Sequence, residues 1–226
     1  MGALVLACGD TAGHRGLTAL TERDEVEVRA VASKPGRTDV DPLLKGLDGR
    51  RLVIAGTDAD LAAVVLRLMR KELLEEVTVG FVATSDSWVA ELWGLPDDVG
   101  RMAEVALRAD ADPIPLVRDD AGGVLVGMGK VGATRGVGYC DDTTALRGRA
   151  SAIEVTPDPD GGLGLIVRVI RRGVLGKRVS SFKGRAFQLG TLPIQPVKDG
   201  EIHPRPTSRW TWYRHTSDLR VARGVI

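Results

Sequence analysis

The chain has 226 residues, of which 43% are hydrophobic and 27% charged, and its formal net charge is +1. This length and composition are typical of a globular protein with one large domain or two smaller ones. The two cysteines, Cys8 and Cys140, are too few and too far apart to indicate a disulfide framework or a zinc site. No apolar run approaches the roughly 18 residues needed to cross a bilayer, and no signal peptide is recognisable, so we expect a cytoplasmic protein.

The first half of the chain alternates apolar runs with helical patterns. Strands are predicted at Ala3–Ala7, Val26–Ala32, Leu52–Ala55 and Val77–Val82. A short helix is predicted to start at Asp41-Pro42 and to end at Gly46, because proline suits the first helical position. Strands that alternate with helices indicate a doubly wound, mainly parallel sheet, with ligands at the carboxyl ends of the strands.

The third strand leads into a turn and helix on which the functional interpretation depends. The turn reads Gly56-Thr57-Asp58-Ala59-Asp60, and the following apolar residues have the spacing of a helix with one buried face. Asp58 or Asp60 is predicted to be the N-cap. The free N–H groups and the helix dipole at such a turn suit a phosphate, so the turn is a candidate nucleotide site.

The fourth strand runs into a second polar turn, Ala83 to Ser87, at the same edge of the predicted sheet. If the turn has only a structural role, Thr84, Ser85 and Asp86 cap the helix that follows. Trp88 and Trp93 in that helix are predicted to be core residues. A further helix is predicted at Val99–Arg108.

The second half of the chain consists of short apolar or alternating runs separated by glycine-rich and Pro-Asp turns. Such runs occur at Ile114–Val117, Val124–Met128, Ala150–Val155, Leu163–Ile170, Val179–Phe182, Ala186–Leu189 and Ile194–Val197. The pattern predicts an antiparallel, β-sandwich-like domain. We therefore predict an α/β domain over residues 1–110 and a β domain over residues 111–226, with a loop and a final strand after Trp210.

Charge is distributed unequally between the two halves. Residues 1–112 carry 20 acidic and 13 basic side chains, whereas residues 113–226 carry 10 and 18. Residues 161–198 contain no carboxylate side chain, and we call them the basic stretch. Its basic residues are Arg168, Arg171, Arg172, Lys177, Arg178, Lys183, Arg185 and Lys198. This stretch favours an anionic membrane surface or a phosphorylated small molecule as a partner, with a peripheral position at the membrane as the alternative location. It could equally be a solvated face that balances the acidic half, and we expect no nucleic-acid partner.

The order of these motifs resembles the catalytic domain family of diacylglycerol kinases, which shares its fold with sphingosine kinases and NAD kinases. The first family motif, GGDGTLNEVVNGL, is similar to residues 56–68, which read GTDADLAAVVLRL. The second, GTGNDFAR followed by LGIP, resembles residues 83–88 followed by Gly94-Leu95-Pro96. The third, a DGE after a strand, is matched by Asp199-Gly200-Glu201.

The resemblance implies ATP-dependent phosphoryl transfer with an assisting magnesium ion. Carried over by motif, Asp58 and Glu201 are the candidates for general base, and Asp199 orients the site or holds Mg. The implied nucleotide-binding residues are Gly56, Thr57, Ala59, Asp60, Thr84, Ser85 and Asp86. A carboxylate within reach of the attacking hydroxyl, and N–H groups around the phosphates, are what this chemistry requires.

The sequence departs from the family pattern within the first motif. Thr57 and Ala59 replace two glycines, and Asp60 replaces a threonine beside the helix N-terminus, where its charge repels a triphosphate. Two hypotheses follow. The first is an ATP-dependent kinase that acts on a lipid or small-molecule hydroxyl, with NAD kinase as the runner-up. The second is a non-catalytic ligand-binding or interaction module that has lost ATP binding.

Residues of the motifs also have purely structural interpretations. Asp58 and Asp60 are ordinary helix-capping residue types. Asp199-Gly200 is a common hairpin turn. The sequence alone leaves both interpretations open for each motif.

Overall fold

The computed structural model describes residues 2–11, 13–22, 25–173 and 176–225. The chain forms two compact units. The first contains residues 1–114 and 217–226, and the second contains residues 115–216. Within the described residues, no helix is both long and apolar enough to cross a membrane.

The first unit is a parallel sheet with helices between its strands. Its elements are β1 (Ala3–Cys8), α1 (Arg15–Thr21), β2 (Val26–Val31), α2 (Arg37–Lys45), β3 (Arg51–Gly56), α3 (Asp58–Arg70), β4 (Val79–Ala83), α4 (Trp88–Trp93) and α5 (Val99–Arg108). The strand order is β2-β1-β3-β4, and each neighbouring pair is parallel. The predicted doubly wound sheet is therefore confirmed.

Apolar side chains on both faces of this sheet explain its burial. Every residue of β1 is buried, as is every residue of β3 after Arg51. Helix α5 lies close to β4 at Gly80, where an added Cβ would stand 2.3 Å from the carbonyl oxygen of Ala106. Glycine at this position lets a helix backbone pack directly against a strand.

Helix α2 begins earlier than the sequence predicted. It starts at Arg37 rather than at Asp41-Pro42, and Pro42 lies inside it. The start is fixed by Gly36, whose N–H donates to the Asp39 carboxylate at 2.9 Å. The capping interaction therefore positions the helix, and Pro42 lies within a helix of only nine residues.

The second unit is built mainly from antiparallel strands. The elements of this half are β5 (Ala111–Asp119), β6 (Val124–Leu125), β7 (Gly129–Val131), β8 (Thr134–Cys140), β9 (Thr143–Ala150), β10 (Ala152–Pro157), β11 (Leu165–Gly173), β12 (Gly176–Gly184), β13 (Ala186–Ile194), β14 (Val197–Lys198), β15 (Glu201–Ile202) and β16 (Thr207–Ala222). One sheet contains β16-β13-β8-β9, and the other has the order β12-β11-β10-β7-β14-β15. The predicted antiparallel β architecture is confirmed.

The core of the second unit combines aliphatic side chains with a cluster of three buried aromatic residues, Phe187, Trp210 and Trp212. Trp212 stacks on Phe187 with ring centroids 6.4 Å apart, and Trp210 meets Trp212 edge-on at 5.8 Å. The prediction of a loop before the final strand was wrong, because Thr207–Ala222 is one strand. Trp210 and Trp212 are two residues apart on this strand, so both side chains face the core. They lie opposite Leu189 and Phe187 of β13.

Candidate functional site

The two polar turns predicted from the sequence are neighbours in the structure. They follow β3 and β4, which are adjacent and parallel, with Gly56 opposite Ala83. The N–H of Thr84 donates to the carbonyl oxygen of Gly56 at 3.0 Å. The sheet therefore places both turns at one edge, where open α/β sheets bind their ligands.

The first turn is capped by Thr57, so the prediction of Asp58 or Asp60 as N-cap was wrong. The Thr57 side chain accepts from the N–H of Asp60 at 3.3 Å. In return, the Asp60 carboxylate accepts from the N–H of Thr57 at 2.8 Å. Thr57 and Asp60 thus form a reciprocal capping box, with Asp60 at the third helical position of α3 and Asp58 at the first.

The Asp60 carboxylate also binds the loop after β2. One of its oxygens accepts from the Ser33 hydroxyl at 3.1 Å and from the N–H of Lys34 at 2.6 Å. The other accepts from both the N–H and the hydroxyl of Thr57, each at 2.8 Å. Asp60 is only 2% exposed. Four donors from two segments therefore hold this carboxylate at the N-terminus of α3.

Gly56 makes room for this arrangement. A Cβ on Gly56 would stand 2.8 Å from the Asp60 carboxylate oxygen and 3.1 Å from the Cβ of Cys8. Burial, together with the nearby charge of Asp60, raises the pKa of the Cys8 thiol to about 12. The glycine that the sequence assigned to phosphate binding thus lies against a carboxylate of its own chain.

Asp58 points towards the second turn. Its carboxylate accepts from the Ser87 hydroxyl, from the N–H of Trp88 at 2.9 Å and from the N–H of Val89 at 3.3 Å. Burial raises the pKa of Asp58 despite these hydrogen bonds, which act in the opposite direction. Asp58 therefore joins the start of α3 to the start of α4.

The cap of α4 differs from the structural interpretation of the sequence, in which Thr84, Ser85 or Asp86 had this role. The N-cap is Ser87, whose side chain accepts from the N–H of Ala90 at 2.9 Å. Thr84, Ser85 and Asp86 instead line a cleft beside the helix. The N-cap is thus one residue after Asp86, at Ser87, whose hydroxyl also donates to the Asp58 carboxylate in the neighbouring turn.

Replacement of Asp58 by asparagine is expected to flatten the pH dependence of stability. The folded protein holds the Asp58 proton more tightly than the unfolded chain does, so this contribution to stability is present below the usual pKa of 3.8 and is lost as pH rises through the raised pKa. Urea unfolding from pH 3.5 to 7 measures the effect. The wild-type protein should lose stability relative to Asp58→Asn as pH rises, and parallel profiles would contradict the assignment.

The cleft beside α4 has a volume of about 830 Å³. It is lined by His14, Ala83, Thr84, Ser85, Asp86, Ser87, Trp88, Ala90, Glu91, Leu95, Asp97, Val99 and Met102. We call this feature the α4 cleft. Trp88 is 52% exposed, so the prediction that it belongs to the core was wrong, whereas Trp93 is buried as predicted. An exposed indole at a concave site is a common ligand contact.

The α4 cleft is acidic. Asp86, Glu91 and Asp97 contribute three carboxylates, and its lining residues, all within the described part of the chain, include no lysine or arginine. The imidazole of His14, to which the sequence assigned no role, accepts from the N–H of Gly16 at 3.1 Å and caps α1. The electrostatic potential of this cleft therefore disfavours a polyphosphate.

The third predicted motif lies in the second unit. Asp199 and Gly200 form the turn between β14 and β15, with φ values of 46° and 86°. The Asp199 carboxylate is 3% exposed and accepts from the N–H groups of Val126, Gly127 and Met128 at 3.1, 2.8 and 3.1 Å. Glu201 is exposed on β15. Asp199 thus fixes a backbone loop, and the common hairpin interpretation of Asp199-Gly200 holds.

Metal-ligand chemistry is sparse in the described parts of the chain. Residues 2–11, 13–22, 25–173 and 176–225 contain no group of three or more His, Cys, Asp or Glu side chains that could hold a metal ion. The predicted basic stretch lies on β11, β12 and β14 and at Arg185. In it, Lys183 pairs with the Asp158 carboxylate at 3.0 Å.

Comparison with solved structures identifies the fold of this chain. No protein-family model and no curated protein matches the chain. A diacylglycerol kinase from Bacillus anthracis str. Sterne has a similar structure, with a TM-score of 0.72, 11% identity and coverage of 99% of this chain and 97% of that one. An NAD kinase from Archaeoglobus fulgidus in complex with ATP has a TM-score of 0.59 and 15% identity, covering 99% and 94%. The chain has the diacylglycerol kinase/NAD kinase-like fold.

Other solved structures agree with this fold. Yeast NADH kinase complexed with NADH has a TM-score of 0.57 at 10% identity, covering all of this chain and 84% of that one. The resemblance inferred from the three motifs is therefore confirmed at the level of the fold.

Proposed function

We propose that this chain is a ligand-binding module on the kinase-like fold, without ATP-dependent phosphoryl transfer. Its ligand is a positively charged small molecule that occupies the α4 cleft. The observation that carries the proposal is the position of Asp60. Its buried carboxylate already accepts the N–H and the hydroxyl of Thr57, the groups that a phosphate would otherwise use.

The first turn fits a triphosphate poorly. A phosphate at a helix N-terminus needs N–H groups that are free to donate to it. Here the N–H of Thr57 donates to Asp60 and the N–H of Asp60 donates to Thr57. A phosphate brought to this position would also meet the negative charge of Asp60 at short range. The capping box and the charge both support loss of nucleotide binding.

The third motif fits a magnesium ion poorly. Magnesium is bound by carboxylates together with substrate phosphates. Both oxygens of Asp199 accept backbone N–H groups, which are positive dipoles of the kind that compete with a cation. A structural role for Asp199 is consistent with the proposal.

The lining of the α4 cleft suggests the class of ligand. Three carboxylates and an exposed indole favour a cation, because an ammonium group is attracted both to negative charge and to the face of an aromatic ring. The carboxyl end of a parallel strand is also where such folds bind ligands.

A second candidate function is ATP-dependent phosphoryl transfer to a lipid or small-molecule hydroxyl, with Asp58 and Glu201 as base candidates. The close approach of the two polar turns favours it, and the Archaeoglobus fulgidus NAD kinase binds ATP on this fold. In this case MgATP would lie at the N-terminus of α3, where Asp58 is hydrogen bonded to the backbone of Trp88.

Trp88 fluorescence separates the two functions. Trp93, Trp210 and Trp212 are at most 3% exposed, so Trp88 dominates the quenchable emission. We expect caesium to quench this emission more strongly than iodide at equal ionic strength, because the carboxylates concentrate cations. We expect millimolar MgATP to leave the emission unchanged, with Trp88→Phe as the subtraction control. A saturable response of Trp88 to MgATP would overturn the proposal and favour the kinase.

A further inference from the structure

A second cleft, of about 540 Å³, lies within the second unit and is strongly basic. Its lining comprises Ala133, Thr134, Arg135, Arg149, Ala150, Ser151, Arg171, Arg172, Leu192 and Pro193. We call this feature the arginine cleft. It contains four arginines and no acidic residue. Two of these arginines, Arg135 and Arg149, lie outside the basic stretch recognised in the sequence.

Strand pairing brings the four guanidinium groups together. Arg135 on β8 is directly opposite Arg149 on β9. Arg171 and Arg172 lie near the end of β11, opposite Arg178 and Lys177 of β12. The N–H of Arg172 donates to the Ser151 hydroxyl at 3.0 Å, which ties the end of β9 to β11. Strands β8, β9 and β11 therefore bring four arginines to the lining of one cleft.

The positive charge of this cleft is not neutralised by the chain itself. In the part of the chain that the structure describes, none of the four arginines forms an ion pair with a carboxylate. Like charges directly opposite each other in a sheet are destabilising. An arrangement that lowers the stability of the free protein but concentrates four planar donors is suited to binding an anion.

We propose that the arginine cleft binds the phosphate group of a phosphate monoester. Guanidinium groups match phosphate oxygens in bidentate geometry, and the Ser151 hydroxyl, which accepts from Arg172, still has its own hydrogen to donate. Leu192 is 63% exposed and lies with Pro193 at the same cleft, so the ligand carries an apolar portion next to its phosphate. A free organic phosphate and the headgroup of a phosphatidic acid both have this chemistry.

The experiment compares Arg149→Ala with Arg147→Ala, a control that removes the same charge from the same exposed face of β9 but outside the cleft. Calorimetry with inorganic phosphate at constant ionic strength measures the free-phosphate arm. Flotation with phosphatidylcholine vesicles, with and without phosphatidic acid, measures the lipid arm. We expect Arg149→Ala to weaken binding about tenfold or more, and Arg147→Ala to change it less than about threefold.

The outcomes distinguish binding in the arginine cleft from attraction to diffuse surface charge. Arg149-dependent binding of phosphate, or of phosphatidic acid vesicles, supports the proposal and identifies the source. Equal weakening by both variants indicates diffuse surface charge and overturns it, as does the absence of binding in both arms. A higher unfolding midpoint of Arg149→Ala without ligand would show that the variant is folded and relieved of repulsion.

The proposal does not depend on the function proposed for the first unit. Because MgATP also carries phosphates, calorimetric binding of MgATP that disappears in Arg149→Ala belongs to the arginine cleft. MgATP binding that persists in this variant and changes Trp88 emission instead contradicts the proposed function of the first unit. The two failures are therefore distinguishable.

Discussion

Replacement of Asp60 by alanine is expected to lower the free energy of unfolding by about 3 kcal/mol. The carboxylate is buried and accepts hydrogen bonds from Ser33, Lys34 and Thr57. Its removal leaves the N–H groups of Lys34 and Thr57 without their acceptor. Four hydrogen bonds are lost at about 0.5–1.5 kcal/mol each, and the exposure of Lys34 and Thr57 keeps the cost of each bond away from the upper end of that range.

Asp39 provides a matched control for this prediction. Its carboxylate also accepts a capping N–H, that of Gly36 at 2.9 Å, but it is exposed and, among the described residues, binds no second segment. Asp39→Ala should therefore cost only about 0.5–1 kcal/mol. Urea unfolding of both variants measures the difference. A loss in Asp60→Ala no greater than that of the control would mean that Asp60 does not hold the turn and the loop after β2 together.

Replacement of Asp199 by alanine is expected to lower the free energy of unfolding by about 4 kcal/mol. The variant leaves the N–H groups of Val126, Gly127 and Met128 without their acceptor in a buried position. It also places alanine at a backbone φ of 46°, where a side chain other than Asn or Asp costs about 1 kcal/mol. The lost acceptor and the backbone strain both lower the free energy of unfolding.

Two comparisons make this second prediction specific. Asp199→Asn keeps one acceptor oxygen and tolerates the same backbone conformation, so it should lose about half as much stability. Glu201→Ala, on the same hairpin but exposed, should change stability by no more than about 1 kcal/mol, the upper range for an exposed polar contact. If all three variants have similar stability, Asp199 is not the anchor of the 126–128 loop.

These two aspartates bear on the function in the same way. The sequence motifs assign Asp60 to the nucleotide and Asp199 to catalysis or metal binding. In the folded chain, the Asp60 carboxylate accepts two backbone N–H groups and the Asp199 carboxylate accepts three. A carboxylate with such hydrogen bonds stabilises the fold whether or not a ligand is present. The stability of these variants therefore tests the structural role of each carboxylate without knowledge of the ligand.

Much of the first unit could be predicted from the sequence. The four strands, the helix after Gly56 and the helix Val99–Arg108 follow from local apolar periodicity, and the predicted helix Val99–Arg108 is observed with the same bounds. The two polar turns could be placed at one edge of the sheet, since the carboxyl ends of parallel strands share an edge. The N-caps of α3 and α4 were not predicted correctly, because several neighbouring residues have suitable side chains.

The second unit was less predictable from local pattern. The hairpin of β8 and β9 was missed because its inward positions include Gly136, Gly138 and Ala150, and its outward positions carry charged side chains. A period-two signal needs large apolar residues on one face, and this hairpin has few. The omission concealed Arg135 and Arg149, and with them half of the arginine cleft.

By itself, the sequence determined the order of the strands in the first unit, the kinase-like arrangement of three motifs and the basic character of the second half. Only the tertiary structure decided what the motif carboxylates do. Asp60 meets Ser33 and Lys34, which are 27 and 26 residues away, and Asp199 meets donors that are 71 to 73 residues away. Local periodicity carries no information on such pairings. The partner of a buried carboxylate is set by the strands and loops that packing brings beside it.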